Sequence, residues 1–271
     1  CDGGWPPFPT PAEKPMTVRE AWAGLDEAAP DHCKRWPPKG SKVAECCSGM
    51  VQGQKANEFY GKNWGFQFSR LSWDRPAPTL HKAGGATGLI HPYEPRKCTA
   101  HELKLLASFP APFTFAGDAV AAEDRIGNCV PPKFAQAIAA CIREHILGDR
   151  DFTYISLFAG CGGSSLGYKW AGGRGLAAVE FNANAAETYR LNFPDTPVLE
   201  RDIATVMAEE LLVLTGLQSK YGKYLDSVTL ADGVLSLGKV GGGSIVFDDL
   251  DGAHHTDTML GSDGAILIYI M

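Results

Sequence analysis

The amino-acid sequence predicts an α/β fold in which helices cover a parallel β-sheet. From residue 152 onwards, short apolar runs typical of buried strands alternate with segments whose apolar spacing is typical of helices. A glycine-rich turn at 160–163 separates the first such run from the first helix. Because successive β-α-β units form parallel sheets with right-handed crossovers, this alternation predicts a partial parallel sheet.

Changes in composition divide the chain into four segments. Residues 1–58 are loop-rich, 59–150 are mixed, 151–218 hold the β-α-β units, and 219–271 form a Gly- and Asp-rich tail. The first part is predicted to be small and irregular or β, and the tail to be β-rich. In the third segment, strands are predicted at 153–158, 176–180 and 197–200, and helices at 164–171, 183–192 and 204–216. In the tail, hairpin strands are predicted at 233–240, 244–247 and 265–270.

Capping boxes indicate two helix starts in the first half of the chain. Thr17 with Glu20 predicts a helix at 18–25, and Thr99 with Glu102 predicts one that ends near 109, before two prolines. The rest of 1–58 is predicted to be loop, 59–98 short strands and turns, and 124–132 a loop. A further helix is predicted from Pro131-Pro132, with a buried apolar face made of Phe134, Ala137, Ile138, Cys141, Ile142 and Ile146.

The composition excludes some classes of protein. Hydrophobic residues make up 45% of the 271 residues, enough for a sizeable core. The sequence has no run of 18 apolar residues, and its start lacks the profile of a signal peptide, so we expect no membrane segment. The eight cysteines include no Cys-x-x-Cys pair and no histidine at zinc-ligand spacing. We therefore expect reduced thiols in an intracellular setting.

The net charge of −6 is unevenly distributed along the chain. Residues 33–104 carry 12 Lys and Arg against 5 Asp and Glu. A basic face on an acidic protein suits contact with the phosphates of a nucleic acid. Lysines scattered over a solvated surface would produce the same count, so composition leaves both interpretations open.

The turn at 160–163 has the features of a nucleoside-binding loop. Glycine lacks a Cβ and tolerates positive φ, so such a turn lets the backbone approach a ligand closely. Glu180 lies 20 residues after Gly160 and ends the second predicted strand, where an acidic residue commonly binds ribose hydroxyls. A dinucleotide fingerprint would need a third glycine where Ser165 stands, which disfavours a nicotinamide or flavin oxidoreductase. A tight connection without a ligand is the alternative.

Three motifs in the second half resemble those of the DNA cytosine-C5 methyltransferases. The first motif is matched by Phe158-Ala159-Gly160-Cys161-Gly162-Gly163, the second by Val179-Glu180 and the third by Arg201-Asp202-Ile203. The resemblance implies a Rossmann-like, S-adenosylmethionine-dependent methyltransferase fold, of which the predicted sheet would be a part.

The first half resembles the last two motifs of the same family, so the order of motifs is permuted. Arg75-Pro76-Ala77-Pro78-Thr79-Leu80 resembles the ninth motif, and Ile126-Gly127-Asn128-Cys129-Val130-Pro131-Pro132 the tenth. In this family the helix after the tenth motif packs beside the first strand, so the chain ends lie close together. A circular permutation is then physically simple, with 147–151 as the joining linker.

The resemblance implies a cofactor pocket for S-adenosylmethionine. Backbone groups of the turn would hold its methionine part, Glu180 would bind the ribose, and Phe181 would stack on adenine. Asp202 would accept from the adenine amino group. The full set of implied cofactor residues is Phe158, Ala159, Gly160, Cys161, Gly162, Gly163, Glu180, Phe181, Asp202, Ile203, Asn128 and Val130. Without the resemblance, Phe181 and Ile203 are equally compatible with core packing, and Asp202 with a helix N-cap.

The resemblance also implies double-stranded DNA as the partner, with Arg75 and Thr79 as candidate contacts, in the cytoplasm of a bacterial or phage-infected cell. The reaction needs a thiolate that attacks C6 of a flipped-out cytosine and an acid near N3. The family supplies them in a Pro-Cys loop and a Glu-Asn-Val strand end, and neither sequence occurs in the 271 residues. We therefore assign no catalytic residue.

Several interpretations remain open at this stage. The chain is either an incomplete or chimeric methyltransferase or one part of a split enzyme whose second chain supplies the catalytic loop. A catalytically inactive DNA-binding module is a further alternative, as is a phage structural protein, because the tail weakly resembles fibre repeats. His254-His255 and the nearby aspartates fit no calcium or zinc pattern, so we predict no metal site.

Overall fold

A computed structural model describes residues 8–62, 65, 67–82, 87–148 and 150–216, together with the backbone of five short strands in the tail. The helices are α1 (Val18–Ala21), α2 (Lys42–Gly49), α3 (Ala56–Tyr60), α4 (Ala100–Leu106), α5 (Ala119–Gly127), α6 (Pro132–His145), α7 (Gly163–Trp170), α8 (Ala183–Asn192) and α9 (Ala208–Thr215). The strands before the tail are β1 (Gln67–Arg70), β2 (Thr87–Ile90), β3 (Phe152–Ser156), β4 (Gly173–Val179) and β5 (Val198–Leu199).

The predicted parallel sheet is confirmed. Its order is β3-β4-β5, with both pairs parallel. Helix α7 connects β3 to β4, and α8 connects β4 to β5. Strand β4 ends in Ala177, Ala178 and Val179, all of which are buried, as expected of a central strand that helices cover.

The two halves of the chain share one core. Phe109, Phe113 and Ile126 from the first half pack with Leu166 and Tyr189 from the second. Helix α6 is in direct contact with α7, because a Cβ added at Gly167 would be 2.4 Å from the carbonyl oxygen of Pro132. Helix α6 also packs against β3, in agreement with the expectation that the helix after the tenth motif lies beside the first strand.

The buried face predicted for α6 is partly wrong. Phe134 is 61% exposed and Ala137 is also exposed, whereas Ala135 and Ala139 are buried against β3 and α7. The physical reason is the close approach to Gly167, which admits alanine but not a larger side chain at the contact. Apolar spacing identified the helix, but small residues decide which face is in contact.

The first half contains more helix than its composition predicts. Helices α2 and α3 lie where loop was expected, and α5 runs to Gly127, within the predicted loop 124–132. Ser41 caps α2 by accepting from the amide of Ala44, a local signal that the many prolines around it obscured. Both capping boxes form as predicted, although α1 ends at Ala21 and α4 at Leu106, earlier than expected. The segment 59–98 contains the short strands β1 and β2, which pair in parallel.

The remaining differences lie at element ends. The helix predicted at 204–216 is divided into a 3₁₀ turn, Ile203–Thr205, and α9. In the tail, strands β6 (Leu225–Ala231), β7 (Val234–Lys239) and β8 (Ser244–Phe247) pair antiparallel, as do β9 (Thr258–Leu260) and β10 (Ile266–Ile268), which agrees with the expected hairpins. His254, His255 and the aspartates around them lie outside the described residues.

Candidate cofactor site

A cleft opens where the three parallel strands end. It has a volume of about 160 Å³ and is lined by Leu157, Phe158, Val179, Glu180, Phe181, Arg201, Asp202 and Ile203. The carboxyl ends of parallel strands meet at one edge of a sheet, and ligands of open α/β sheets bind there. Five of the predicted cofactor residues, from three separate motifs, therefore lie in one cleft.

The turn after β3 takes a backbone form that suits glycine. Gly160 has φ +52° and Gly162 has φ +95°, both in the left-handed region. A Cβ added at Gly162 would meet Phe193 at 2.4 Å, so packing alone requires that glycine. Apart from Gly160 itself and its two neighbours in the chain, no atom of the described residues lies within 4 Å of the corresponding position, so the turn leaves open space there. Helix α7, which follows the turn, has no side-chain cap.

Glu180 ties the turn to the end of β4. Its carboxylate accepts from the amides of Gly160 and Asn182, both at 2.8 Å. The side chain is buried at the base of the cleft, with 8% of the residue exposed. Each carboxylate oxygen has two acceptor sites, so Glu180 can hold the turn and still accept from ligand hydroxyls.

The aromatic residues of the cleft are exposed. Phe181 is 74% exposed and Phe158 is 53% exposed, whereas Ile203 is half-buried. Core packing, the alternative interpretation of Phe181, would bury it. An exposed ring beside a cleft offers a surface on which a planar base can stack.

Asp202 combines a cap with a place in the cleft. One carboxylate oxygen, Oδ1, accepts from the amide of Ala204 at 2.9 Å and so caps the 3₁₀ turn. The N-cap alternative is therefore correct. Within the described residues, the structure shows no hydrogen bond to Oδ2, so the residue retains capacity for a donor in the cleft.

The tenth-motif loop lies against the turn but does not line the cleft. A Cβ added at Gly163 would lie 2.4 Å from the carbonyl oxygen of Val130, so these two backbones are in direct contact. Asn128 is exposed at the end of α5, and Val130 is half-buried. The roles of Ala159, Cys161, Asn128 and Val130 toward a cofactor remain predictions.

Ser165 stands where a dinucleotide-binding fingerprint requires its third glycine. It is completely buried in the first turn of α7, and its hydroxyl accepts from Tyr189 at 3.0 Å. Its carbonyl accepts from Tyr154, also at 3.0 Å. The position that would carry a packing glycine instead joins α7 to α8 and β3 through hydrogen bonds.

Sequence reasoning missed Arg201 as a residue of the cleft. It precedes Asp202 in the third motif, and its guanidinium forms an ion pair with Glu210 of α9. Its position beside a predicted ligand residue was the only available signal.

The basic segment is less available for DNA than its composition suggests. Arg70, Arg96 and Lys104 are buried, and their charges are used inside the protein. Arg75 and Thr79 are exposed, and their role in DNA contact stays a prediction. In the described part of the chain, no cluster of three or more His, Cys, Asp or Glu could hold a metal ion. Among those same residues, no helix combines the length and apolarity needed to cross a bilayer.

Comparison with known proteins supports the resemblance. A family model described as C-5 cytosine-specific DNA methylase matches residues 12–144 and 152–216. The chain belongs to this family. Its members are DNA cytosine-5 methyltransferases, and the parallel sheet described above is the Rossmann-like part of their fold.

Individual relatives within the methylase family match parts of the chain. The type II methyltransferase M.AquIB of Picosynechococcus is 34% identical over 109 residues, which cover 36% of this chain and 77% of the relative. The type II methyltransferase M1.HphI of Haemophilus parahaemolyticus is 41% identical over 71 residues, covering 26% and 19%. The putative type II methyltransferase M.MJ0563P of Methanocaldococcus jannaschii is 30% identical over 139 residues, covering 51% and 43%. The chain thus spans less than half of two of these three relatives.

Proposed function

We propose that the chain binds S-adenosylmethionine in the cleft at the ends of β3, β4 and β5, as part of a DNA cytosine-C5 methyltransferase. The observation that carries the proposal is that Phe158, Glu180, Phe181, Asp202 and Ile203 line one cleft. These positions come from three motifs up to 45 residues apart in the sequence. Family membership supports a methyl donor, and the residue types match the parts of a nucleoside: an acid for ribose and a ring for the base.

The residues present fit such a cofactor. The open space beside Gly160 accepts a ligand atom where a side chain would interfere. Glu180 retains acceptor sites for two hydroxyls, and Asp202 retains an oxygen for an amino group. When bound, S-adenosylmethionine supplies an electrophilic methyl group on a sulfonium. The role of this chain is to bind and orient that group.

We propose that the attacking thiolate comes from a segment outside these 271 residues. Neither Pro-Cys nor Glu-Asn-Val occurs in the sequence. The segment belongs either to the same polypeptide or to a second chain. The second arrangement gains support from two relatives of one organism, M.AquIA and M.AquIB, which share a name apart from its last letter and each match this chain separately.

We further propose double-stranded DNA as the substrate, with Arg75 and Thr79 near its backbone. Both residues are exposed and lie in the stretch that resembles the ninth motif. A contact between the Arg75 guanidinium and a phosphate releases a counterion, so DNA affinity should fall as salt rises. The proposal places the chain in the cytoplasm of a bacterial or phage-infected cell, where such DNA is present.

Calorimetry with S-adenosylhomocysteine tests the pocket. We expect the wild-type chain to bind and Glu180→Ala to lose at least about tenfold in affinity, because a charged acceptor is removed. Glu200→Ala is the matched control: this glutamate follows the neighbouring strand, pairs with Arg190 and does not line the cleft. Equal affinity in wild type and Glu180→Ala, with both folded by circular dichroism, would refute the pocket assignment.

Transfer of tritium from labelled S-adenosylmethionine to DNA tests whether the attacking thiolate lies outside these 271 residues. We expect no incorporation by the chain alone. We expect incorporation once a polypeptide with the Pro-Cys and Glu-Asn-Val motifs of a related methyltransferase is added. Incorporation by the chain alone would show that it contains its own nucleophile and would overturn the proposal that the thiolate comes from another segment.

A further inference from the structure

One edge of the parallel sheet lies next to a strand of the tail. In the order β3-β4-β5, β3 is a terminal strand, so one row of its amides and carbonyls faces away from β4. Cα atoms of β10, at Ile266–Ile268, lie within 8 Å of Cα atoms of β3. Sheets that stack face to face are about 10 Å apart, whereas neighbouring strands are about 4.8 Å apart. Because β4 already occupies the other edge of β3, β10 lies beside the terminal edge.

The tail therefore covers an edge of a fold to which it does not belong. Strand β10 pairs antiparallel with β9 along one of its own edges, which leaves its second edge for β3. An edge strand offers amides and carbonyls to any strand that can pair with it, and proteins protect such edges by covering them. The match to the methylase family ends at residue 216, before the tail begins.

The strand order indicates what else belongs at this edge. In doubly wound sheets the first three strands lie in the order 3-2-1, and the fourth strand pairs with the first. The order β5-β4-β3 is the same, so the fourth strand of the fold belongs beside β3. In this chain the strand that follows α9 is β6, which pairs antiparallel with β7 instead. The next strand of the chain thus does not fill the position of the fourth strand.

Helix α9 provides independent evidence for a missing neighbour. None of its residues Ala208–Thr215 is buried, although the helix lies close to β4. Val213 is 64% exposed, and Leu214 and the preceding Met207 are exposed as well. Apolar side chains grouped on a surface typically mark a contact with another polypeptide.

We propose that β10 occupies the docking edge of the catalytic segment, so that the tail and that segment compete for β3. The partner is the polypeptide segment that carries the Pro-Cys loop, and its fourth strand would join β3 through main-chain hydrogen bonds. A strand parallel to β3 ends where the cleft opens, so the loop that follows it would reach the methyl donor. This inference rests on the proposed function, in which the thiolate comes from outside the 271 residues.

Leu267→Pro in the full chain tests whether β10 covers β3. Proline cannot donate to a strand ladder, so it should detach β10 from its neighbours. Hydrogen exchange at the amides of Phe152–Ser156 that face away from β4 should become at least about tenfold faster. Exchange in α8 should stay at the wild-type rate, which would show that the core is intact.

Leu237→Pro is the matched control for the tail. It places proline in β7, the central strand of the tail's other sheet, and should leave exchange in β3 unchanged. Unchanged exchange in Leu267→Pro would overturn the cover by β10. Equal acceleration in both variants would assign the effect to general unfolding of the tail and would also overturn it.

Association with the catalytic segment tests the competition. The probe is a polypeptide of a related type II methyltransferase that contains the strand before the Pro-Cys loop, the loop and the Glu-Asn-Val motif. When co-expressed, it should co-purify with Leu267→Pro at least about tenfold more than with wild type or Leu237→Pro. Equal recovery with all three chains would overturn the competition. Self-association of Leu267→Pro in light scattering, without bound probe, would show that the edge takes a second copy and would overturn the proposed partner.

These measurements separate the inference from the proposed function, because none of them requires cofactor, DNA or methyl transfer. If the chain binds no S-adenosylhomocysteine, or transfers tritium alone, the proposed function fails, and the exchange rates still decide whether β10 covers β3. If the chain binds S-adenosylhomocysteine but exchange in β3 is unchanged in Leu267→Pro, the inference fails and the proposed function stands.

Discussion

Two buried glutamates, Glu102 and Glu180, show how this molecule uses the same side chain in opposite ways. Both accept from a backbone amide: Glu102 from Thr99, the N-cap of its own helix, at 2.7 Å, and Glu180 from Gly160 in the neighbouring turn at 2.8 Å. Arg96 also donates twice to Glu102, at 2.8 and 2.7 Å. Among the described residues, no cation pairs with Glu180. The first carboxylate is neutralised within the protein, and the second is not.

The residues around the two carboxylates also differ: those around Glu102 are buried, and those around Glu180 are exposed to solvent. Beside Glu102, the indole N–H of Trp22 donates to the backbone carbonyl of Glu102 at 3.0 Å, and the Trp22 ring stacks on His91. Side chains of the protein therefore enclose Glu102. Around Glu180, Phe181 and Asp202 are exposed. A buried charge with all its partners in place holds a fold together, whereas a buried charge beside an open cleft with exposed rings indicates a ligand. The comparison therefore distinguishes a structural network from the proposed binding site without using any sequence motif.

The largest expected effect comes from breaking the Glu102 network. Arg96→Gln should lower the free energy of unfolding by about 3–5 kcal/mol, because it leaves Glu102 buried without its cation. Neither side chain of this pair is more than 1% exposed. Because the network lies apart from the cleft, the folded fraction should still bind S-adenosylhomocysteine. Urea unfolding followed by circular dichroism measures the change.

The matched control is an ion pair of equal length on the surface. Arg190 and Glu200 also lie 2.7 Å apart, but their side chains are 44% and 37% exposed. Arg190→Gln should therefore cost less than about 1 kcal/mol. Similar losses in both variants would mean that burial does not distinguish the two regions, and the comparison would fail.

The sequence predicted the cleft better than it predicted the first half of the chain. Strong local signals, namely apolar runs, glycines and an acid at a strand end, fix the β-α-β part, and α8 has its predicted bounds of Ala183–Asn192. Spacing alone could not identify Arg201 as a cleft residue, because its position depends on how β5 ends relative to β4. For Asp202, the sequence predicted a ligand role and left an N-cap as the alternative. The structure shows the cap, and the residue also lines the cleft.

Long-range contacts caused the other differences. The contact face of α6 depends on Gly167, 32 residues after Ala135, so periodicity within α6 alone selected Phe134 incorrectly. Similarly, the basic charge at 33–104 was counted correctly, but Arg96 and Lys104 pair internally with Glu102 and Asp31. Composition counts charges and cannot tell which of them reach the surface.

The smallest expected effect concerns pH and the Glu102 network. Burial lowers the pKa of His91 from 6.5 to about 4, against the raising effect of Glu102. Arg96 and Lys34 also face the ring and lower this pKa, whereas Glu94 raises it. A histidine whose folded pKa is depressed binds its proton more readily when unfolded. Its contribution to stability is therefore complete above pH 6.5 and is lost as pH falls toward 4.

His91→Asn tests this contribution. In the wild type, Nδ1 of His91 accepts from the amides of Tyr93 at 3.1 Å and Glu94 at 2.9 Å, and an asparagine oxygen can replace that acceptor without titrating. Between pH 6.5 and 4.5, the wild type should lose roughly 1–2 kcal/mol more stability than the variant. His145→Asn, at an exposed histidine of α6, should keep the wild-type slope. Equal slopes in wild type and His91→Asn would place the acid sensitivity elsewhere, for example at His32, whose pKa burial also lowers.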